Sequence, residues 1–207
     1  MNRSERQRRV PNAASFRVSP AGVAIASRRC VESRMLTSQR IIDAINEQIG
    51  CEFSAMLQYV AIASHFDSET LPELAAHFLR QADEEKEHAM RFVQFVSDTG
   101  ARVKIPAIDA PRAEFSDAAD AVRLSLEQEK KVTQQINQLV HMAKDESDYT
   151  TDNFLQWFVQ EQLEEVASME DLLSIVQRAG EANLLLVEEY LARKRGGGAG
   201  SRAHAAT

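Results

Sequence analysis

Each of four apolar helix stripes in this 207-residue chain contains a glutamate, where a carboxylate has no place in an ordinary core. The first stripe reads Ile42, Ile45, Ile49, Glu52, Met56, Tyr59 and Ala63, and the second Leu74, Phe78, Gln81, Glu85, His88, Phe92 and Phe95. The third reads Val122, Leu126, Glu129, Thr133, Ile136 and Val140, and the fourth Leu155, Phe158, Gln162, Glu165, Met169, Leu172 and Val176. Alternating steps of three and four residues put every member of a stripe on one face of a helix. Burying one unpaired carboxylate is costly, and several brought together repel one another. No Lys or Arg occupies these stripes, so bound cations are the natural partners. Four carboxylates balance the charge of two divalent ions, and His88, one turn from Glu85, adds a neutral nitrogen ligand. Hard oxygen ligands with a single imidazole suit iron or manganese better than a structural zinc ion.

For the four glutamates to meet, the helices must run alongside one another with their midpoints level. Start and stop residues predict helices over about 36–64, 72–99, 116–145 and 150–179. Thr37 or Ser38 caps the first, Thr70 and Pro72 open the second, Ser116 caps the third and Thr150 or Thr151 opens the fourth. Gly100 and Gly180 end the second and fourth. Glu52, Glu85, Glu129 and Glu165 then fall close to the four midpoints. The segment Ala101 to Glu114 carries Pro106 and Pro111 without a helical period and reads as a long crossover. A short fifth helix is expected from Asn183 to Lys194. The expected fold is all-α: a four-helix bundle with one long crossover and a short C-terminal fifth helix. The alternative is that some of these glutamates lie on solvated faces.

Charge divides the chain. Residues 1–34 hold eight Arg and two Glu, a net +6, whereas the rest carries −13 of the total −7. The basic stretch, with Pro11 and Pro20 and no helical or strand period, reads as a disordered extension: a transit peptide, a nucleic-acid arm, or sequence ahead of a true start at Met35. The domain is expected over 35–195, with a flexible Gly-rich tail over 196–207. With 44% hydrophobic residues the composition suits one globular domain, and no apolar run is long enough for a membrane span. Only Cys30 and Cys51 are present, too few for a disulfide framework, which fits a reducing, cytoplasmic setting. The acidic domain is not expected to bind nucleic acid.

Three segments carry a resemblance: Glu52 to Tyr59 (EFSAMLQY), Glu84 to Ala89 (EEKEHA) and Asn153 to Glu165 (NFLQWFVQEQLEE). They resemble bacterial non-haem ferritins of the actinobacterial type, over about Met35 to Arg195. The resemblance implies a ferritin-like bundle that assembles as a homo-oligomer of 24 subunits, oxidises Fe(II) with dioxygen or hydrogen peroxide at a di-iron ferroxidase centre, and stores Fe(III) as a mineral. It implies one iron on Glu52, Glu85 and His88, and a second on the bridging Glu85 with Glu129 and Glu165. Gln162 would stand beside the second iron, and Tyr59 and Trp157 would be aromatic electron donors, with core packing as their alternative. Glu84, Glu161 and Glu164 match a third iron position leading inward, with a solvated helix face as the alternative. Asp145, Glu146, Asp148 and Asp152 match positions that line threefold pores.

Departures from related families narrow the expectation. A bacterioferritin would carry a second Glu-x-x-His where this chain has Gln162 to Glu165, and a haem-ligating Met where it has Lys86, so haem is not expected. The alternatives are a bacterioferritin-like or other di-iron carboxylate protein, or a shell-forming bundle with an inactive metal site. His65, His77 and His141 receive no role.

Overall fold

The computed structural model describes residues 36–198, so the basic extension and most of the expected tail lie outside the described residues. Five α-helices lie among the described residues: α1 (Gln39–Ser68), α2 (Pro72–Asp98), α3 (Ala118–Asp145), α4 (Tyr149–Ala179) and, after a 3-10 turn at Glu181–Asn183, α5 (Leu184–Gly198). The first four lie close to their expected spans, and α5 continues past Lys194. α1 pairs with α2 and α3 with α4, while α5 packs on α2 and α4.

Caps fix the helix starts: Pro72 opens α2 as expected, and the caps of α3 and α4 differ from expectation. Ser38 caps α1 as expected, its hydroxyl accepting from Ile41 N. Asp117, not Ser116, caps α3 by accepting from Asp120 N at 2.6 Å. Asp148 caps α4, with Thr151 donating both its N–H and its hydroxyl to it. At α2 the N-cap is Leu71, which has no side chain able to accept, and Thr70 takes a left-handed turn at φ 63°. The missing acceptor comes from α5: Glu188 accepts from Glu73 N at 2.7 Å and Leu74 N at 2.8 Å. A carboxylate at a helix N-terminus meets both unsatisfied N–H groups and the positive end of the helix dipole. Together with the apolar packing of Val187 and Leu191 and the Arg195–Glu73 ion pair at 2.8 Å, this contact ties the fifth helix to the bundle.

The crossover runs along one stripe of α1. Asn46 accepts from Lys104 N at 2.8 Å and donates to Arg102 O. Twelve residues on, Gln58 accepts from Arg112 N at 2.9 Å and donates to Arg112 O at 2.8 Å. Between them Gly50 lets Pro106 in: a Cβ there would overlap Pro106 Cγ and stand 3.0 Å from Cδ.

The apolar core is split in two. One cluster, built on Tyr59, Ile62, Phe66, Phe78, Val122, Met169 and Leu172, extends to Val187 and Leu191 of α5. The other, built on Ile42, Ile45, Ile49, Phe92, Ile136, Leu155 and Phe158, fills the opposite end. Between the two lies a buried polar layer.

Candidate metal centre

That layer consists of the glutamates that interrupted the stripes. Glu52 and Glu129 are fully buried, Glu85, His88 and Gln162 nearly so, and Glu165 is 9% exposed. The level predicted from helix midpoints is therefore where the side chains meet. Glu52, Glu85 and His88 each offer a ligand atom within 4.8 Å of the other two. Glu85 sits at the middle of the set, with its Oε2 3.4 Å from His88 Nδ1 and its charge felt by Glu52, Glu129 and Glu165.

Among the described residues no Lys or Arg pairs with these carboxylates. Burial, then the neighbouring Glu85, pushes the Glu52 carboxyl well above its ordinary value. Burial, then Glu129, does the same to Glu85, and burial raises Glu129. Glu165 is raised to about 7 by burial, with Glu129 and Glu84 adding to it. Glu52 Oε2 and Glu85 Oε2 are buried without a hydrogen-bond donor. Orphaned carboxylate oxygens beside an imidazole are donors suited to a divalent cation.

Neighbouring groups orient the carboxylates. The Tyr59 hydroxyl donates to Glu129 Oε1. Gln48, one turn before Glu52 on α1, donates to Glu52 Oε1 at 2.9 Å. Gln162 Nε2 stands 3.4 Å from Glu129 Oε2. The imidazole of His88 is packed edge-on against Trp157 and Phe158, with ring centroids 5.4 and 5.9 Å apart. The Arg91 guanidinium lies over the Trp157 ring, 3.9 Å from its centroid.

The expected inward position is less enclosed. Glu84 and Glu164 are exposed and Glu161 is half-buried, beside Glu165 and Gln162 on α2 and α4. Gln81 donates to Glu84 in a short hydrogen bond. Of the acidic residues at the α3–α4 junction, Glu146 pairs with Arg40 at 3.3 Å and Asp148 is the α4 cap. Thr133 was a stripe position without a role, and its hydroxyl in fact reaches Gln162 Oε1 at 2.9 Å. The spacing of Gln48 and Thr133, one turn before Glu52 and one turn after Glu129, was the available signal for both.

Comparison with known proteins agrees with this fold. The ferritin-like domain family matches residues 42–179. Ferritin BfrB of Mycobacterium tuberculosis is 49% identical over 150 residues, which cover 72% of this chain and 82% of that protein. The bacterial non-heme ferritin of Staphylococcus aureus is 34% identical over 155 residues, covering 74% and 93%. Among solved structures, an open-pore ferritin from Archaeoglobus fulgidus superposes with a TM-score of 0.73 at 38% identity, covering 75% of this chain and 96% of that one. The chain belongs to the ferritin family, and its function is iron storage. Among the described residues no helix is long and apolar enough to cross a membrane.

Proposed function

We propose that each subunit oxidises Fe(II) at a di-iron centre within its own bundle and passes Fe(III) to a mineral core inside a 24-subunit shell in the cytoplasm. The observation that carries this reading is the buried cluster of Glu52, Glu85 and His88, with no Lys or Arg paired to it among the described residues. In this reading one iron takes Glu52, Glu85 and His88, and the other takes Glu85 as a bridge with Glu129 and Glu165. Iron is the substrate here, and haem has no part in the reaction.

The residues have separable tasks. The carboxylates gather two Fe(II) ions as charge-balancing ligands, so binding relieves their mutual repulsion. Two Fe(II) give one electron each, and dioxygen takes both with two protons to leave as hydrogen peroxide, which can itself oxidise two further Fe(II). Tyr59 holds Glu129 in place and stands within reach as an electron donor. Trp157 packs against His88 and fixes the plane of the imidazole. Glu84, Glu161 and Glu164 take the product inward, where Fe(III) hydrolyses. The acidic α3–α4 junction draws Fe(II) toward the shell.

The test is aerobic addition of Fe(II) to the purified assembly, followed by ultraviolet absorbance and size exclusion. Expected are oxidation well above the buffer rate and co-elution of ferric iron with a very large particle. His88→Ala should keep the particle and lose the rapid phase. Oxidation no faster than in buffer, by a correctly assembled shell, contradicts the ferroxidase reading and leaves iron storage standing.

A further inference from the structure

Gln162 closes the inner end of a cleft between α3 and α4. The cleft has a volume of about 370 Å³ and is lined by Thr133, Ile136, Val159, Leu163 and Val166 beside Gln162. Gln162 is 3% exposed, and its amide has two distinct ends. One end faces Glu129 Oε2 at 3.4 Å, and the other faces Thr133 Oγ1 at 2.9 Å. A metal-holding carboxylate only accepts, so the end beside Glu129 is the NH2 and the end beside Thr133 is the carbonyl. The Thr133 hydroxyl also lies 2.8 Å from the carbonyl oxygen of Glu129 one turn back, so its single hydrogen sits between two acceptors.

We propose that Thr133 is a positioning residue that sets the orientation of the Gln162 amide at the metal centre. This rests on the metal-binding reading above. With the carbonyl held by Thr133, Gln162 presents an N–H donor, which cannot ligate a cation and which steadies Glu129. Without that hydroxyl the carbonyl has no donor on the cleft side, and a half-turn of the amide points Oε1 at the centre. An amide oxygen is a hard neutral ligand for Fe(II) and Co(II). The turned amide adds a ligand beside Glu129 and Glu165, holds the ion longer and fills a position that the oxidant needs. Thr133 therefore keeps the second ion weakly enough held to react and leave.

The experiment uses the assembled full-length protein with Co(II), which binds without being oxidised by air. Visible absorption reads the number of ligands, and titration reads affinity. Thr133→Val removes the hydroxyl at nearly constant volume, Thr133→Ser retains it, and Thr133→Ala is a second deletion should the valine variant fail to assemble. The valine or alanine variant should weaken the Co(II) visible bands, as an added ligand does, and tighten binding on the order of tenfold. It should lower the kcat of Fe(II) oxidation without raising KM. The serine variant should match the wild type in all three. On a Gln162→Leu background Thr133→Val should change nothing further. Identical Co(II) spectra and affinities for the wild type and the two deletion variants overturn the proposal while leaving the metal centre intact. A spectrum altered equally on the Gln162→Leu background overturns it too, by showing that Thr133 acts without the amide. Failure of the wild type to bind Co(II) overturns both readings.

Discussion

Replacing Glu165 by Gln should stabilise the metal-free protein while impairing iron oxidation. The Glu165 carboxyl has its value raised from 4.5 to about 7 in the fold. A group whose folded value is raised gives stability that is complete below about 4.5 and is lost as pH rises through about 7. At pH 8 the ionised Glu165 therefore costs up to about 3 kcal/mol, since each tenfold change in proton affinity is worth about 1.4 kcal/mol. Glu165→Gln removes that charge at nearly constant shape. For a chain of this size about 3 kcal/mol corresponds to a rise of roughly 6 to 12 °C in the unfolding midpoint. The assay is calorimetric unfolding of chelator-treated assemblies, wild type and variant, at one scan rate and at pH 5, 6.5 and 8. The gain should be greatest at pH 8 and small at pH 5. Anaerobic Fe(II) should reverse the order, because the wild type recovers its cost on binding and the variant has less to recover. Equal midpoints at pH 8, or a variant gain that shrinks as pH rises, would refute the account of Glu165 as a carboxylate buried at a cost for the sake of a cation.

Three further outcomes follow from other contacts. Tyr59→Phe should leave the assembly intact but slow Fe(II) oxidation several-fold in stopped-flow absorbance, since the Glu129 carboxylate loses its donor. Glu188→Ala should cost about 1–2 kcal/mol and speed hydrogen exchange at the Glu73 and Leu74 amides, read by mass spectrometry, because α2 has no other cap. Gly50→Ala should lower the thermal midpoint: overlap with Pro106 costs about 1–3 kcal/mol, against at most about 1 kcal/mol gained in helix propensity. Pairing it with Pro106→Gly should restore part of the loss.

The helices and the polar layer were legible because one periodic signal encoded both. Ile42 to Ala63 and Leu74 to Phe95 name a core face, and a glutamate on that face near the middle of each helix is conspicuous for the same reason. Phase slipped by one residue at Met56, Thr133 and Val140, which are half-buried while Ala55, Val132 and Leu139 take the buried places. What could not be read depends on partners distant in sequence. The α2 cap comes from Glu188, 115 residues beyond Glu73. The room for Pro106 comes from Gly50, and the anchors of the crossover are Asn46 and Gln58, polar residues that look solvated until the returning segment covers them. Gln48 and Thr133 were missed for a related reason: each looks like an ordinary helix residue until the carboxylate or amide it meets has a position.

Freeze-quenched Mössbauer spectroscopy is the most direct test of oxidation at a paired site. The assembled protein is loaded anaerobically with two 57Fe(II) per chain and then exposed to dioxygen for a fraction of a second. Two Fe(II) environments before mixing and magnetically coupled ferric pairs after it, both lost in Glu85→Ala, are the predicted result. Isolated ferric ions alone, or coupled pairs that survive Glu85→Ala, would contradict a di-iron centre bridged by Glu85.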